Sequence, residues 1–357
     1  MTDFINKYKN NLKKFSLSHN LNNDLESLLQ LTTSNSQPNI NSINELLRDI
    51  PVMKWNLKVY GYLLSKLLLD STDILNIPVS TQPYKPKWSA SISNDFFTSW
   101  FRKSCAELKI EPVLHRKIWE FAFIINNLDY YGFIETDTTG IGFGCGTEPI
   151  PSYLASKGIN IVATDLEPSN ESAKAWIDTA QHISDRDKIW MPDLCTKSEF
   201  ENRVSLRYED MNSISSDLDG KFNFCWSICA LEHLGSIEKG FDFIRRSLDM
   251  LKPGGIAIHT TEFNYLSDDK TIDNWVTVLF RKKDFLKFHQ EIISLGYEVP
   301  EIDFNVGNDP LDWFIDLPPF QSDKGYYSKE LPSEPHLKLS LDGFPSTCFG
   351  IVIRKPL

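Results

Sequence analysis

The sequence predicts an α/β fold in which a largely parallel sheet follows an α-helical N-terminal region. From residue 138 onward, short apolar runs alternate with segments of helical period, which is typical of strands joined by crossover helices. Before residue 76, leucines recur at helical spacing. The chain has 357 residues, 41% of them hydrophobic, which is enough for one large domain and an accessory piece.

The N-terminal region is predicted to be α-helical over residues 1–90, ahead of an α/β domain over residues 91–357. The apolar residues at helical spacing are Leu21, Leu25, Leu28, Leu29, Tyr60, Leu63, Leu64, Leu67 and Leu68. A polar break at residues 33–42 divides them. We expect this region to pack on the core or on a second subunit, which leaves a homodimer open.

A glycine-rich turn organises the α/β domain. A strand ending at Phe143 leads into Gly144 and Gly146, where the absence of Cβ atoms lets the backbone turn and a ligand approach. Pro149 fits the first turn of the next helix, whose free N–H groups suit an anion. The following apolar run ends at Asp165, where a carboxylate can accept both hydroxyls of a ribose. These features predict a Rossmann-like βαβ unit that binds a nucleoside.

Further motifs accompany the glycine turn in a fixed order. They are Gly142-x-Gly144-x-Gly146 and residues 208–211, 222–227, 230–234 and 251–255. With these motifs, residues 116–357 resemble the class I S-adenosylmethionine-dependent methyltransferases. The resemblance implies S-adenosyl-L-methionine as the cofactor. It also implies a seven-stranded Rossmann-like sheet whose last strand lies antiparallel beside the fifth.

The resemblance also implies a set of cofactor-binding residues, since ligands of such sheets bind outside the carboxyl ends of the strands. They are Gly142, Gly144, Gly146, Thr147, Glu148, Asp165, Leu166, Asp210, Met211 and Ser227. Two positions depart from the family pattern. Gly142 stands where the family often has an acid, and Glu148 replaces the third glycine. Glu148 either takes over the contact with the methionine amino group or caps the start of the helix.

Transfer to a hydroxyl needs a base within hydrogen-bond reach of the acceptor. His233, after the fourth strand, is the first candidate because imidazole titrates near neutral pH. The alternative is that His233 bonds the helix start or the methionine end of the cofactor. Glu262, at the end of the fifth strand, is the second candidate, while strand alternation turns His259 to the opposite, buried face. No tight ligand spacing joins His259, Glu262 and His336, so no metal is expected.

The α/β domain is predicted to contain seven strands. They lie near residues 138–143, 160–165, 204–209, 222–228, 255–261, 298–303 and 347–354. The segment 304–346 is long for a connection between the last two strands, and such segments are usually functional. It is expected to act as a lid or acceptor wall.

Two predicted helices carry side chains that either reach the cofactor or only pack. The helices cover residues 116–131 and 173–182. The side chains are Trp119, Glu120, Trp176 and Gln181.

Composition excludes several classes of partner. The net charge of −11 argues against a general nucleic-acid or anionic-membrane surface. The six cysteines show no C-x-x-C spacing, which predicts buried thiols in a reduced, cytoplasmic compartment. The residues at the start of the sequence are not expected to form a signal peptide, and no apolar run approaches the roughly 20 residues that a spanning helix needs.

The acceptor is expected to be a hydroxyl, or an amine, of a small molecule or a saccharide. The sugar expectation rests on a resemblance to a bacterial subgroup of uncharacterised methyltransferases, some encoded near sugar-modifying enzymes. The shared segments are Glu148-Pro149 and residues 260–264 and 335–339. Two other functions stay open: an NAD-dependent oxidoreductase, and a cofactor-binding protein without catalysis, which Gly142 and Glu148 permit.

Overall fold

The computed structural model describes residues 33–34, 37–38, 47–71, 80, 82–178, 181–318, 320 and 335–357. The apolar face predicted at Leu21 to Leu29 lies outside these residues, as does much of the predicted lid (319 and 321–334). The chain divides into two units, Met1–Tyr60 and Gly61–Leu357.

The first unit holds a short antiparallel pair of strands, Thr33–Ser34 (β1) and Gln37–Pro38 (β2), within the predicted polar break. A helix, Asp49–Ser71 (α1), begins in this unit and continues into the second. In the part of the N-terminal region that the structure describes, the helical prediction therefore holds over α1.

The second unit is organised around one large sheet. Its strands in the described residues are Trp88–Ala90 (β3), Thr139–Phe143 (β4), Asn160–Asp165 (β5), Val204–Tyr208 (β6), Phe222–Ile228 (β7), Leu251–Asn264 (β8), Phe280–Arg281 (β9), Ile302–Asp303 (β10), Ile315–Asp316 (β11), Lys338–Leu341 (β12) and Phe344–Arg354 (β13). Along the sheet the order is β10-β3-β13-β8-β7-β4-β5-β6. The strands β8, β7, β4, β5 and β6 are mutually parallel, and β13 lies antiparallel beside β8, as predicted.

Helices connect and cover the strands. They are Ser99–Leu108 (α2), Arg116–Tyr130 (α3), Ile150–Ser156 (α4), Lys174–Asp178 (α5), Lys197–Arg203 (α6), Ile237–Asp249 (α7), Lys282–Ser294 (α8) and Pro310–Trp313 (α9). The core is formed by buried aromatic and aliphatic side chains of the strands and of α3, where Trp119 to Leu128 are all buried. A sheet buried on both faces explains why its strands read as continuous apolar runs.

Most predicted elements are found close to their predicted positions. The largest differences occur where pairing with other strands, and not the local sequence, sets the length of an element. The fourth strand matches its prediction, whereas the strand predicted at 298–303 shrinks to β10 because only Ile302 and Asp303 find partners in β3. The helix predicted at 173–182 is a 3₁₀ turn, Glu171–Ala173, followed by the short α5.

Four strands of the sheet are not predicted from the sequence: β3, β9, β11 and β12. Trp88–Ala90 lies between β13 and β10, antiparallel to the first and parallel to the second. Trp88 is fully buried and donates its indole N–H to the carbonyl of Val352 at 2.7 Å. The sheet therefore includes residues that precede 91.

In the described residues, no helix is both long and apolar enough to cross a membrane.

Candidate functional site

A cavity of about 720 Å³ opens beyond the carboxyl ends of β4, β5, β6 and β7. Its volume lies within the ~300–1,000 Å³ typical of small-molecule sites. Eight predicted cofactor residues line it: Gly144, Gly146, Thr147, Glu148, Asp165, Leu166, Asp210 and Met211. His233 lines it as well. Gly142, Ser227 and Glu262 do not.

The glycine turn gives the cavity a floor made of backbone. Gly144 and Gly146 both have positive φ, 56° and 52°. A Cβ atom on Gly146 would lie 2.6 Å from the carbonyl oxygen of Gln181, which is backbone and cannot yield cheaply. The N–H of Cys145 is tied to the carbonyl of Thr164 at 3.0 Å, which fixes the turn against β5. Here only glycine satisfies both the φ and the space.

Asp165 is held in one orientation by backbone donors. Its Oδ1 accepts from the N–H of Leu166 at 2.8 Å, and its Oδ2 accepts from the N–H of Ile183 at 3.0 Å. His182 donates from Nε2 to the carbonyl of Leu166 at 2.8 Å and supports the same loop. Each carboxylate oxygen keeps further lone pairs, so Asp165 can still accept hydrogen bonds from a ligand in the cavity.

The end of β6 supplies a second acid to the cavity. Asp210 accepts from the N–H of Asn212 at 2.8 Å, which closes a tight turn and leaves carboxylate capacity free. The preceding Glu209 also lines the cavity but is already engaged by Arg207 and by Ser215. Of the two neighbouring acids, Asp210 is therefore the better placed to meet a ligand.

Gly142 lies below the cavity, where its missing side chain makes room for Trp226. A Cβ atom on residue 142 would overlap the indole ring of Trp226 and the Sγ of Cys145. Trp226 is fully buried, so neither neighbour can move into solvent. The structure therefore gives a physical reason for the absence of an acid at position 142.

Substitution of Gly142 by alanine is expected to lower the free energy of unfolding by about 1–3 kcal/mol, since the added methyl overpacks a closed core. Urea unfolding followed by circular dichroism measures it. Gly220→Ala is the control, because a Cβ there meets no atom within 4 Å, although its positive φ adds a backbone cost. Equal losses in the two variants would show that the overlap with Trp226 is relieved without strain.

Glu148 and Lys117 face each other in the cavity wall. Lys117 Nζ lies 3.8 Å from Glu148 Oε1, and both residues line the cavity. Glu148 is only 8% exposed, and its Oε2 has no hydrogen-bond partner among the described residues. Burial raises the pKa of Glu148 well above its usual range, against the lowering effect of Lys117. An orphaned buried carboxylate oxygen is costly, so this position suits a cationic donor from a ligand.

His233 is oriented by its Nδ1. That nitrogen lies 3.1 Å from the carbonyl oxygen of Val276, which can only accept, so Nδ1 carries the proton and Nε2 is free to accept one. The ring packs edge-on against Trp176, with centroids 4.6 Å apart. Burial lowers the pKa of His233 to about 4, although the bond to Val276 and the charge of Glu262 act in the opposite direction. The imidazole is therefore neutral near pH 7.

Glu262 belongs to a buried charged cluster rather than to the cavity wall. The cluster comprises Arg116, Glu120, Cys229, Glu232, Glu262 and Cys348. Arg116 pairs directly with Glu262, which is 2% exposed and also accepts from the hydroxyl of Ser346 at 2.6 Å. With both oxygens engaged below the cavity, Glu262 has no path to an acceptor in this arrangement.

The charged cluster also contains donors that could hold a metal ion. Among the described residues, two groups have ligand atoms within 4.8 Å of one another: Glu120, Cys229 and Cys348, and Cys229, Glu232 and Glu262. The guanidinium of Arg116 already lies 3.4 Å from the Sγ of Cys229 and 3.5 Å from that of Cys348. Arg116 thus supplies the positive charge here, and neither His259 nor His336 joins these groups.

Ser227 and His259 form a buried pair away from the cavity. The hydroxyl of Ser247 donates to the carbonyl of Ile244, so His259 donates from Nε2 to Ser247 and accepts from Ser227 at 2.8 Å. Burial lowers the pKa of His259 to about 3. His259 is fully buried, in agreement with the strand alternation that predicted it.

Several residues reach the cavity by tertiary placement. Trp176 and Gln181 line it, whereas Trp119 and Glu120 are buried elsewhere. Lining residues that the sequence does not single out include Lys117, Phe121, Lys239, Trp275 and Val276. Lys117 lies on α3 close to Trp119 and Glu120. Which side of α3 faces the cavity depends on where the helix begins, and its N-cap at His115 is not predicted from the sequence. Of the described residues in 304–346, none lines the cavity.

A glycine floor, an oriented acid after the second core strand and a buried carboxylate with one oxygen free of hydrogen bonds among the described residues line one cavity of this α/β fold. Residues 117–292 match the family model described as a methyltransferase domain. These residues form a methyltransferase domain.

Solved structures of similar fold are distant in sequence. An S-adenosylmethionine-dependent methyltransferase from Methanosarcina mazei is 18% identical, covers 64% of this chain and 97% of its own, and has a TM-score of 0.38. An S-adenosylmethionine-dependent methyltransferase from Mesorhizobium loti is 15% identical, covers 64% of this chain and 96% of its own, and has a TM-score of 0.35. Phosphoethanolamine N-methyltransferase 2 from Haemonchus contortus, in complex with S-adenosyl-L-methionine, is 14% identical, covers 64% of this chain and 51% of its own, and has a TM-score of 0.36. None of the curated proteins compared with the chain matches it.

Proposed function

We propose that the protein transfers a methyl group from S-adenosylmethionine to a hydroxyl, or an amine, of a small-molecule or saccharide-type acceptor. The observation that carries the proposal is the convergence of the glycine turn, Asp165, Asp210 and His233 on one cavity. When bound, S-adenosylmethionine supplies an already activated methyl group. The protein then has to orient the acceptor, exclude water and remove a proton.

In this proposal the residues divide the work by position. Gly144, Gly146 and Thr147 form the floor, Asp165 and Leu166 receive the ribose, and Asp210 and Met211 border the base, whereas Gly142 and Ser227 act from below. His233 Nε2 accepts the proton of the acceptor hydroxyl. Glu262 acts at a distance, through its pair with Arg116, by fixing the strand end that carries the acceptor side of the cavity.

The saccharide-type acceptor is supported by the aromatic side chains around His233. Trp176 and Trp275 both line this part of the cavity, and Trp275 is 60% exposed. Flat rings that are apolar on their faces and ringed by polar groups suit an acceptor of the same mixed character. The acceptor is found by offering a panel of saccharides and small hydroxyl compounds together with S-adenosylmethionine that carries a labelled methyl group.

Two further parts of the proposal concern partners and compartment. A second copy of the chain is the expected partner of the N-terminal region, and nucleic acid is not expected at a net charge of −11. All six cysteines are free thiols, which supports a reduced compartment such as the cytoplasm.

The proposal is tested by calorimetric titration with S-adenosylmethionine and S-adenosylhomocysteine. We expect saturable binding that Asp165→Ala weakens roughly 10–100-fold, because hydrogen bonds to a charged acceptor contribute about 1.5–3 kcal/mol. Asp129→Ala, at an exposed carboxylate paired with Lys103, is the control and should bind like the wild type. Absence of binding to folded protein, with NADH bound instead, would favour the oxidoreductase.

A further inference from the structure

The two neighbouring basic residues at the start of α3, Arg116 and Lys117, point to different parts of the structure. The helix begins at Arg116, and His115 caps it by accepting the N–H of Lys117 at 3.1 Å. Arg116 turns into the buried charged cluster, where it pairs with Glu262. Lys117 turns to the cavity, where it faces Glu148. Arg116 is therefore the direct ion-pair partner of Glu262 in the buried cluster, while Lys117 acts on the cluster through the charge of Glu120.

The Lys117–Glu148 pair is an incomplete interaction. At 3.8 Å the two charges attract, but the distance is too long for a hydrogen bond. Glu148 keeps one oxygen without a donor in the described part of the chain, although the residue is almost fully buried. A buried carboxylate normally gathers two or more donors, so the pair has capacity for one more cation.

The other charged groups around Glu148 cannot fill that capacity. Glu120 and Asp165 repel it, and both are already engaged, Glu120 by Thr260 at 2.5 Å and Asp165 by two backbone N–H groups. Burial lowers the pKa of Lys117, but Glu120, Cys229 and Glu148 outweigh this effect and raise it above its usual value. Lys117 is thus a permanent cation beside an acid that lacks a donor.

We propose that Lys117 and Glu148 form a clamp for a zwitterion: Glu148 accepts the α-ammonium and Lys117 donates to the α-carboxylate of the cofactor's amino-acid end. The inference rests on the proposed function and adds Lys117 to it. On binding, the two side chains exchange their mutual contact for one contact each, Glu148 with the ammonium and Lys117 with the carboxylate. Trp226 explains why the acid lies at 148, since its ring closes position 142 to any side chain.

The test uses two probes that differ in the amino-acid end. S-adenosylhomocysteine carries it, and 5′-methylthioadenosine lacks it. In calorimetric titrations of the full chain, Glu148→Gln and Lys117→Met are each expected to weaken S-adenosylhomocysteine roughly tenfold or more. Neither variant should change the affinity for 5′-methylthioadenosine. In the double variant the loss should be smaller than the sum of the single losses, because each single variant leaves its partner unpaired.

A matched lysine–glutamate pair away from the cavity serves as the control. Lys157 Nζ lies 3.6 Å from Glu107 Oε2, and neither residue lines the cavity. Lys157→Met should leave both probes bound as in the wild type. A second readout is pH, since the affinity for S-adenosylhomocysteine should rise as Glu148 loses its proton and should be flat in Glu148→Gln.

The outcomes separate the clamp from the proposed function. If the wild type binds both probes and the two variants still bind S-adenosylhomocysteine as the wild type does, the clamp is wrong and the cofactor site stands. Equal weakening of both probes would also overturn the clamp, because it would mean that the cavity itself has changed. If the folded wild type binds neither probe, the proposed function fails and the clamp fails with it.

Discussion

Replacing Arg116 by methionine is expected to lower the free energy of unfolding by about 3–5 kcal/mol, which is typical when one partner of a buried ion pair is removed. Arg116 pairs with Glu262 and lies 3.9 Å from Glu120, and both carboxylates are nearly inaccessible to water. Without the guanidinium these charges must either stay unpaired or take up protons. Urea unfolding at neutral pH measures the loss.

The control for this prediction is an exposed ion pair. Arg203 pairs with Asp137 at 2.8 Å on the surface, so Arg203→Met should cost at most about 1 kcal/mol. Adding Glu262→Gln to Arg116→Met should recover part of the stability, since it removes one of the unpaired charges. A loss in Arg116→Met no larger than in Arg203→Met would contradict a cluster held together by this cation.

The same cluster should make stability depend on pH. Burial raises the pKa of Glu120, but Lys117 and Arg116 outweigh it and bring the pKa below the usual 4.5. A carboxyl whose pKa is lowered by folding contributes stability above its unfolded pKa, and this contribution is lost as the pH falls through the folded value. The difference between wild type and Arg116→Met should therefore narrow in acid.

His233→Gln is expected to slow methyl transfer to a hydroxyl by about 10²–10⁴-fold, the usual contribution of a general base. Because glutamine can keep the contact with Val276, the affinity for S-adenosylhomocysteine should be unchanged. The rate is followed as label transferred from S-adenosylmethionine to the acceptor. Because a pKa of about 4 makes His233 a weaker base than an imidazole that titrates near neutral pH, we expect the loss of rate to lie toward the lower end of this 10²–10⁴-fold range.

The pH profile distinguishes a base from a merely structural histidine. With a pKa of about 4, His233 is neutral throughout pH 6–8, so at saturating S-adenosylmethionine its titration should leave kcat/KM for the acceptor unchanged across that range and lower it only in acid. His289→Gln is the control, because this histidine bonds the carbonyl of Pro300 outside the cavity. Unchanged transfer in His233→Gln would remove His233 from catalysis.

The parts of the fold that could be predicted are those that depend on patterns among residues close together in the sequence. The turn at Gly144 and Gly146, the acid after β5 and the alternation of strands and helices each depend on a few neighbouring residues. Trp88–Ala90 could not be predicted in this way. Three residues after a proline-rich stretch become a strand only because β13 and β10 offer them partners.

The candidate site was predictable to the same extent and for the same reason. Residues just beyond the carboxyl ends of strands line the cavity, as sheet geometry requires. Ser227, still within β7, points to His259 because alternation turns it away. Lys117 and Trp275 reach the cavity through a helix cap and a long loop, and neither position follows from spacing in the sequence.

The place of Trp88–Ala90 in the sheet constrains how the protein is made. This strand pairs with Phe349 and Gly350, near the opposite end of the chain. Contacts of such long sequence separation form slowly, because the entropy cost of closing a long loop comes before the contacts can stabilise the sheet. On a ribosome, the early strand emerges long before its partner exists and must wait with its tryptophan uncovered. The sheet can therefore be completed only after the residues near 350 have been synthesised, and until then the unpaired strand is exposed to aggregation.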